Sequence, residues 1–204
     1  MTELWLIRHG ETDWNREGLY QGQADIPLNE LGLKQAQAAA EKILLSGQSF
    51  SAIYSSPLSR ARQTADASAA RLGLPVRLDP RLQEINQGNW TGKNYRMIVA
   101  QFGDPLKPTP DNTKVDGARD TIYSRAPGGE SVAEVAARLA LAASDIARAH
   151  PAQAVLVFSH GLAGATLFCQ SAGIPLEAVY SHIPENGGIL VVQWSSETGF
   201  NLAL

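Results

Sequence analysis

The sequence predicts an α/β fold: a three-layer α/β/α sandwich with a mostly parallel central sheet and an inserted lid region. Short apolar runs alternate with longer stretches whose apolar residues recur at helical spacing, the pattern of strand–helix–strand units. The first run, Leu4-Trp5-Leu6-Ile7, is apolar without alternation, as a strand covered on both faces is. The pattern breaks from Gly103 to Gly129, where Pro105, Pro108 and Pro110 stand among Asp, Asn, Lys, Thr and Gly residues. The expectation is a single domain over 1–204 with a cap or lid at about 93–129.

The first strand ends at Arg8-His9-Gly10. Asn29, after Pro27-Leu28, is placed to cap a helix in which Leu33, Ala36, Ala40, Ile43 and Leu44 form the stripe facing the sheet; Gly47 ends it. Ser51-Ala52-Ile53-Tyr54 is the second strand. Ser56-Pro57 then reads as a cap with proline at the first helical position, which puts Arg60 in the opening turn of the next helix. Pro75-Val76-Arg77-Leu78 is a short third strand leading into Leu82-Gln83-Glu84-Ile85. Beyond the lid, Ser131-Val132-Ala133-Glu134 is a capping box that opens a helix to about Arg148, with Val132, Val135, Leu139 and Ile146 on its apolar side. Ala154 to Phe158 is the fourth strand and ends in Ser159-His160-Gly161. Ile189-Leu190-Val191-Val192 and the alternating Phe200, Leu202 and Leu204 predict a final hairpin at a sheet edge.

Composition narrows the function classes. With 17 Lys and Arg against 20 Asp and Glu, a net charge of −3 gives no long-range attraction to nucleic acid or an anionic membrane. No apolar run reaches the ~18 residues needed to cross a bilayer, and Met1-Thr2-Glu3-Leu4 lacks the basic and apolar regions of a signal peptide, so a cytoplasmic protein is expected. The lone Cys169 reads as a buried structural thiol. The four histidines include no i, i+4 pair and no acidic cluster at ligand spacing, so neither a metal nor another cofactor is expected. A Gly-rich loop ending in Gly-Lys-Ser/Thr is absent, which leaves Walker-type nucleotide hydrolysis unsupported.

Chemistry gathers at three strand ends. In open α/β sheets ligands bind beyond the carboxyl ends of the strands, where helix N-termini point outward. Here those ends carry Arg8 and His9, then Ser55, Ser56 and Arg60, then Ser159 and His160. If the strands are parallel neighbours, two cations and two imidazoles converge on a space of about one phosphoryl group.

The ordered set Leu6-Ile7-Arg8-His9-Gly10-Glu11-Thr12-Asp13-Trp14-Asn15, Gln21-Gly22, Pro27-Leu28-Asn29, Ser55 to Ala65, Glu84 and Ser159-His160-Gly161 closely resembles the histidine phosphatase superfamily, which includes cofactor-dependent phosphoglycerate mutases. The likeness runs from Leu6 to His160. It implies that His9 is the nucleophile and becomes a phosphohistidine, with Arg8 and Arg60 holding phosphate oxygens and keeping the imidazole neutral. It further implies that His160 donates to the same oxygens and that Glu84 is the acid–base residue. Asn15 matches a phosphate-binding position, and Thr12, Gln21, Gly22, Gly161 and Leu162 are further candidates for substrate contact. Gln21-Gly22 and Gly88-Asn89-Trp90-Thr91-Gly92 look more like the phosphatase branch than the mutases. The expected substrate is a small phosphorylated metabolite. Mutase-type transfer and a silent phosphate-binding relative stay open, as does a homodimer.

Other polar residues read as structure. Glu11 is expected to support the loop from behind, and Glu130 to sit near the N-terminus of the helix at Ser131. Arg62 turns about 200° from Arg60 on a helix and leaves the pocket. His150 fits a helix C-terminus, and His182 is read as structural. Lys93, Arg96, Lys107, Lys114 and Arg119 are surface charges or contacts to a second anionic group. Tyr20, Trp90 and Tyr95 either line the pocket or pack the lid onto the core.

Overall fold

The computed structural model describes residues 1–103 and 122–195. These build a five-stranded sheet from β1 (Thr2–Arg8), β2 (Phe50–Ser55), β3 (Val76–Leu78), β4 (Ala154–Ser159) and β5 (Ile189–Trp194), in the order β3-β2-β4-β1-β5. The pairs β3/β2, β2/β4 and β4/β1 are parallel, and β5 closes the edge antiparallel to β1. The described helices include α1 (Asp13–Arg16), α2 (Glu30–Leu45), α3 (Ser59–Leu72), α4 (Tyr95–Phe102), α5 (Val132–Ala149) and α6 (Gly161–Ala172).

Alternate residues of the central strands feed the two layers between sheet and helices. Leu4, Leu6, Val155 and Val157 pack with Val135, Leu139 and Ile146 of α5 and Leu167 of α6. Ile7, Ile53, Leu156 and Phe158 pack with Ala39 and Ile43 of α2 and Ala65 of α3. Burial on both faces explains why β1 and β4 are apolar without alternation. No described helix is long and apolar enough to cross a membrane.

Several expectations shift. The buried line of α2 is Gly32, Ala36, Ala39, Ala40 and Ile43, whereas Leu33 and Leu44 are exposed. Each of those leucines follows a buried residue and so sits about 100° round the helix from it, outside the contact. Helix α3 starts at Ser59 rather than at Pro57: the Ser56 hydroxyl, bonded to His160 Nε2 at 2.8 Å, accepts from the Leu58 amide at 3.3 Å, but Leu58 itself keeps an extended backbone as the N-cap. Asp25 caps the first turn, accepting from the Ser59 amide at 2.6 Å and its hydroxyl at 2.8 Å. Within the expected lid, Asn94 caps the short helix α4, which the sequence reading left unassigned. Lys107, Lys114, Arg119 and the three lid prolines lie outside the described residues, as do Phe200, Leu202 and Leu204.

Candidate active site

The register of β1 on β4 sets Arg8 opposite Ser159, and the His9 amide donates to the Ser159 carbonyl at 3.2 Å. The next residue along each strand is a histidine, so the two imidazoles meet edge to face with ring centroids 5.1 Å apart. Beside them β2 ends in Ser55, and Arg60 enters from the first turn of α3.

His9 has a defined tautomer. Its Nδ1 lies 2.6 Å from the Gly10 carbonyl, which can only accept, so Nδ1 carries the proton and Nε2 the lone pair. Arg60 Nε donates to that Nε2 at 3.3 Å. Burial, then the charge of Arg60, and also that of Arg8, hold the His9 pKa well below the ordinary imidazole value. His160 is depressed in the same way, by burial first and Arg60 second. Both rings are therefore neutral at pH 7.

The two guanidiniums are anchored by backbone. Arg60, 1% exposed, donates through Nη1 to the Ala24 carbonyl at 2.7 Å and through Nη2 to the Gly22 carbonyl at 2.8 Å. Burial lowers its pKa to about 10, which leaves it charged at neutral pH. Arg8 Nη1 donates to the Pro184 carbonyl at 2.6 Å, and burial lowers its pKa too. Among the described residues, Arg8 Nε and His160 Nδ1 are buried without a hydrogen-bond partner. Such orphaned nitrogens beside two fixed cations suit an anion with several oxygens.

Glu84 lies at the start of α6. Its Oε2 accepts from the Leu162 amide at 3.1 Å, and Oε1 from the Ala163 amide at 3.1 Å and the Ile85 amide at 2.9 Å. The carboxylate thus occupies the positive end of that helix, close enough to Arg8 and Arg60 to interact with both charges. Leu162, expected among the substrate contacts, gives its amide to Glu84.

Other expected site residues form the frame. Thr12 is buried and caps α1, exchanging bonds with Asn15 through its hydroxyl and amide at 3.1 Å. Gly22 adopts a φ of +52°, which favours glycine, and an added Cβ would stand 2.9 Å from the Gln87 nitrogen. Gln21 is buried, with its Oε1 unpartnered among the described residues. A Cβ at Gly161 would stand 2.9 Å from Ile183 Cγ2 and 3.3 Å from Arg8 Nε, so its smallness makes room for the guanidinium.

Glu11 accepts from Asn29 Nδ2 at 2.8 Å, tying the loop to α2. Arg62 points away toward Asp66. His150 packs on Tyr54, and His182 on Phe168. Tyr20 and Trp90 stack obliquely, 6.3 Å apart. Cys169 is buried.

Sequence reasoning missed two supports. Asn186 Nδ2 donates to the His9 carbonyl at 3.1 Å, and the Gly187 amide reaches the Arg8 and His9 carbonyls at 3.1 and 3.2 Å. Arg138, on the middle of α5, binds the backbone around Glu84. No local motif marks either one, because both act on segments distant in sequence. Among the described residues no group of three His, Cys, Asp or Glu side chains could hold a metal.

A family model described as the histidine phosphatase superfamily (branch 1) matches residues 4–203. A probable phosphoglycerate mutase of Yersinia pestis is 34% identical over 178 residues, covering 87% of this chain and 78% of that protein. Among solved structures, a mycobacterial glucosyl-3-phosphoglycerate phosphatase complexed with VO3 superposes with a TM-score of 0.78 at 31% identity, over 93% of this chain and 90% of that one. A phosphoserine phosphatase variant from Entamoeba histolytica, in complex with phosphoserine, gives 0.76 at 29% identity over 94% and 90% of the two chains.

Proposed function

The chain belongs to the histidine phosphatase superfamily, and from that premise we propose that it is a metal-independent phosphomonoesterase acting on a small phosphorylated metabolite through a phosphohistidine on His9. The observation that carries this reading is the His9 tautomer: Nδ1–H is committed to the Gly10 carbonyl, so the lone pair on Nε2 faces Arg60 unprotonated. A neutral imidazole beside two fixed cations is a nucleophile placed against an anionic electrophile.

In the first step Nε2 attacks phosphorus in line, the N–P bond forms and the bond from phosphorus to the ester oxygen breaks. Glu84, in its carboxylic acid form, gives that oxygen its proton and the alcohol departs. Arg8, Arg60 and His160 donate to the non-bridging oxygens as charge shifts across them. In the second step the Glu84 carboxylate takes a proton from water, the water oxygen attacks phosphorus and the N–P bond breaks. Inorganic phosphate leaves and His9 is neutral again.

Incubation with p-nitrophenyl phosphate in EDTA tests the reading: nitrophenol and phosphate should appear in equal amounts, with an acid-labile phosphoenzyme that His9→Ala abolishes. Retained turnover in that variant would move the nucleophile elsewhere. The likeness to a probable phosphoglycerate mutase favours a second reading, phosphoryl transfer between positions of phosphoglycerate. A mutase would interconvert phosphoglycerates without net phosphate release. No turnover of any phosphomonoester would instead leave a silent phosphate-binding protein.

A further inference from the structure

The proposed reaction needs the Glu84 proton at one point in space, yet residues 84–87 belong to no strand or helix. A side chain of α5 holds the backbone that leads up to and includes Glu84, whose carbonyl also accepts from Gln23 Nε2 at 3.1 Å. Arg138 donates through Nη1 to the carbonyls of Arg81 at 2.8 Å and Gln83 at 2.6 Å, and through Nη2 to that of Glu84 at 2.9 Å. Its Nε and Nη2 also pair with the two oxygens of Glu130, both at 2.9 Å. These bonds match the five N–H donors that a guanidinium owns. Glu130 is itself tied to the same segment, since Oε2 accepts from the Asn86 amide at 2.8 Å and the Glu130 amide donates to the Asn86 carbonyl at 2.9 Å.

We propose that Arg138 and Glu130 together are positioning residues for the general acid: Arg138 fixes the backbone leading up to and including Glu84, and Glu130 fixes it beyond, at Asn86, so that the carboxyl reaches the leaving oxygen. The proposal rests on the reading of Glu84 as that acid. Beyond its pairing with Glu130, Arg138 donates to three carbonyls, those of Arg81, Gln83 and Glu84. A lysine would keep the charge but could not span them, because its three donors sit on one nitrogen.

A merely structural role would depress the rate with every substrate alike, whereas misplacement of an acid hurts most where the leaving group needs the proton. The test is therefore a ratio, kcat/KM for p-nitrophenyl phosphate over kcat/KM for ethyl phosphate, measured on one preparation so that any unfolded fraction cancels. Glu84→Gln serves as reference. Arg138→Lys and Glu130→Gln each break the clamp, and either suffices if the other fails to fold.

The expected result is a ratio raised by about 10-fold or more in the clamp variants, since misplacing a catalytic group by about 1 Å can cost about 100-fold. It should rise further in Glu84→Gln, where about 100-fold or more of acid catalysis is lost. A wild-type ratio in the folded clamp variant, beside a raised one in Glu84→Gln, overturns the positioning role alone. A wild-type ratio in Glu84→Gln removes the acid itself, and the positioning role falls with it.

Discussion

Acid should destabilise this protein by an amount set by its two buried, facing imidazoles, His9 and His160. His9 and His160 are buried, 3% and 1% exposed, and burial together with Arg60 keeps both pKa values well below the ordinary range. In the unfolded chain each imidazole takes up a proton at about pH 6.5. Below that pH the unfolded state binds more protons than the folded one, so stability falls as pH falls, and continues to fall until the folded-state pKa is reached. From pH 8 to pH 5.5 the unfolded-state pKa limits the loss to at most about 1.4 kcal/mol for each histidine and about 2.8 kcal/mol for the pair. Urea unfolding in phosphate-free buffer across this range measures it, read as a shift of midpoint at constant slope. His9→Gln and His160→Gln should each remove about half of the loss. If wild type and both variants lose stability in parallel between pH 8 and pH 5.5, the imidazoles are not held neutral by the fold and the argument for a ready nucleophile fails with them.

Arg60→Lys leaves the Ala24 and Gly22 carbonyls without their forked donor and should lower kcat/KM for p-nitrophenyl phosphate by about 100-fold or more; a loss under about threefold contradicts the role given to the guanidinium. Gly10→Ala would set a Cβ 2.3 Å from the Gly32 carbonyl oxygen and should cost about 1–3 kcal/mol in urea unfolding, with a fall in kcat as His9 moves. Ser131→Ala removes the hydroxyl that accepts from the Glu134 amide and should cost about 1 kcal/mol by thermal or urea unfolding.

The sequence reading succeeded where a single local rule decides. β1 and β4 were legible because strands buried on both faces are uniformly apolar, and the Ser131 capping box because its two bonds lie within one turn. It slips where a distant group decides, as at the start of α3, where the carboxylate of Asp25, far away in sequence, accepts from the Ser59 amide and the helix begins two residues past Pro57. The site divides in the same way. His9, Arg60 and His160 stand out because polar residues end apolar runs or open a helix behind one, whereas Arg138 and Asn186 act on backbone carbonyls, which no side-chain pattern encodes. Glu130 stands near the start of α5, as its sequence position implies, whereas its pairing with Arg138 two turns on depends on the loop before the helix folding back.

The order of strands has a consequence for biosynthesis. β2 and β1 share no ladder; β4 lies between them and joins the two halves of the sheet. During synthesis β1, which leads to the first histidine, is made well before β4, the keystone that leads to the second. The pairing of that one strand with β1 on one side and β2 on the other bridges the sheet and sets the imidazoles side by side. Regain of turnover during refolding would therefore time the closing of the sheet.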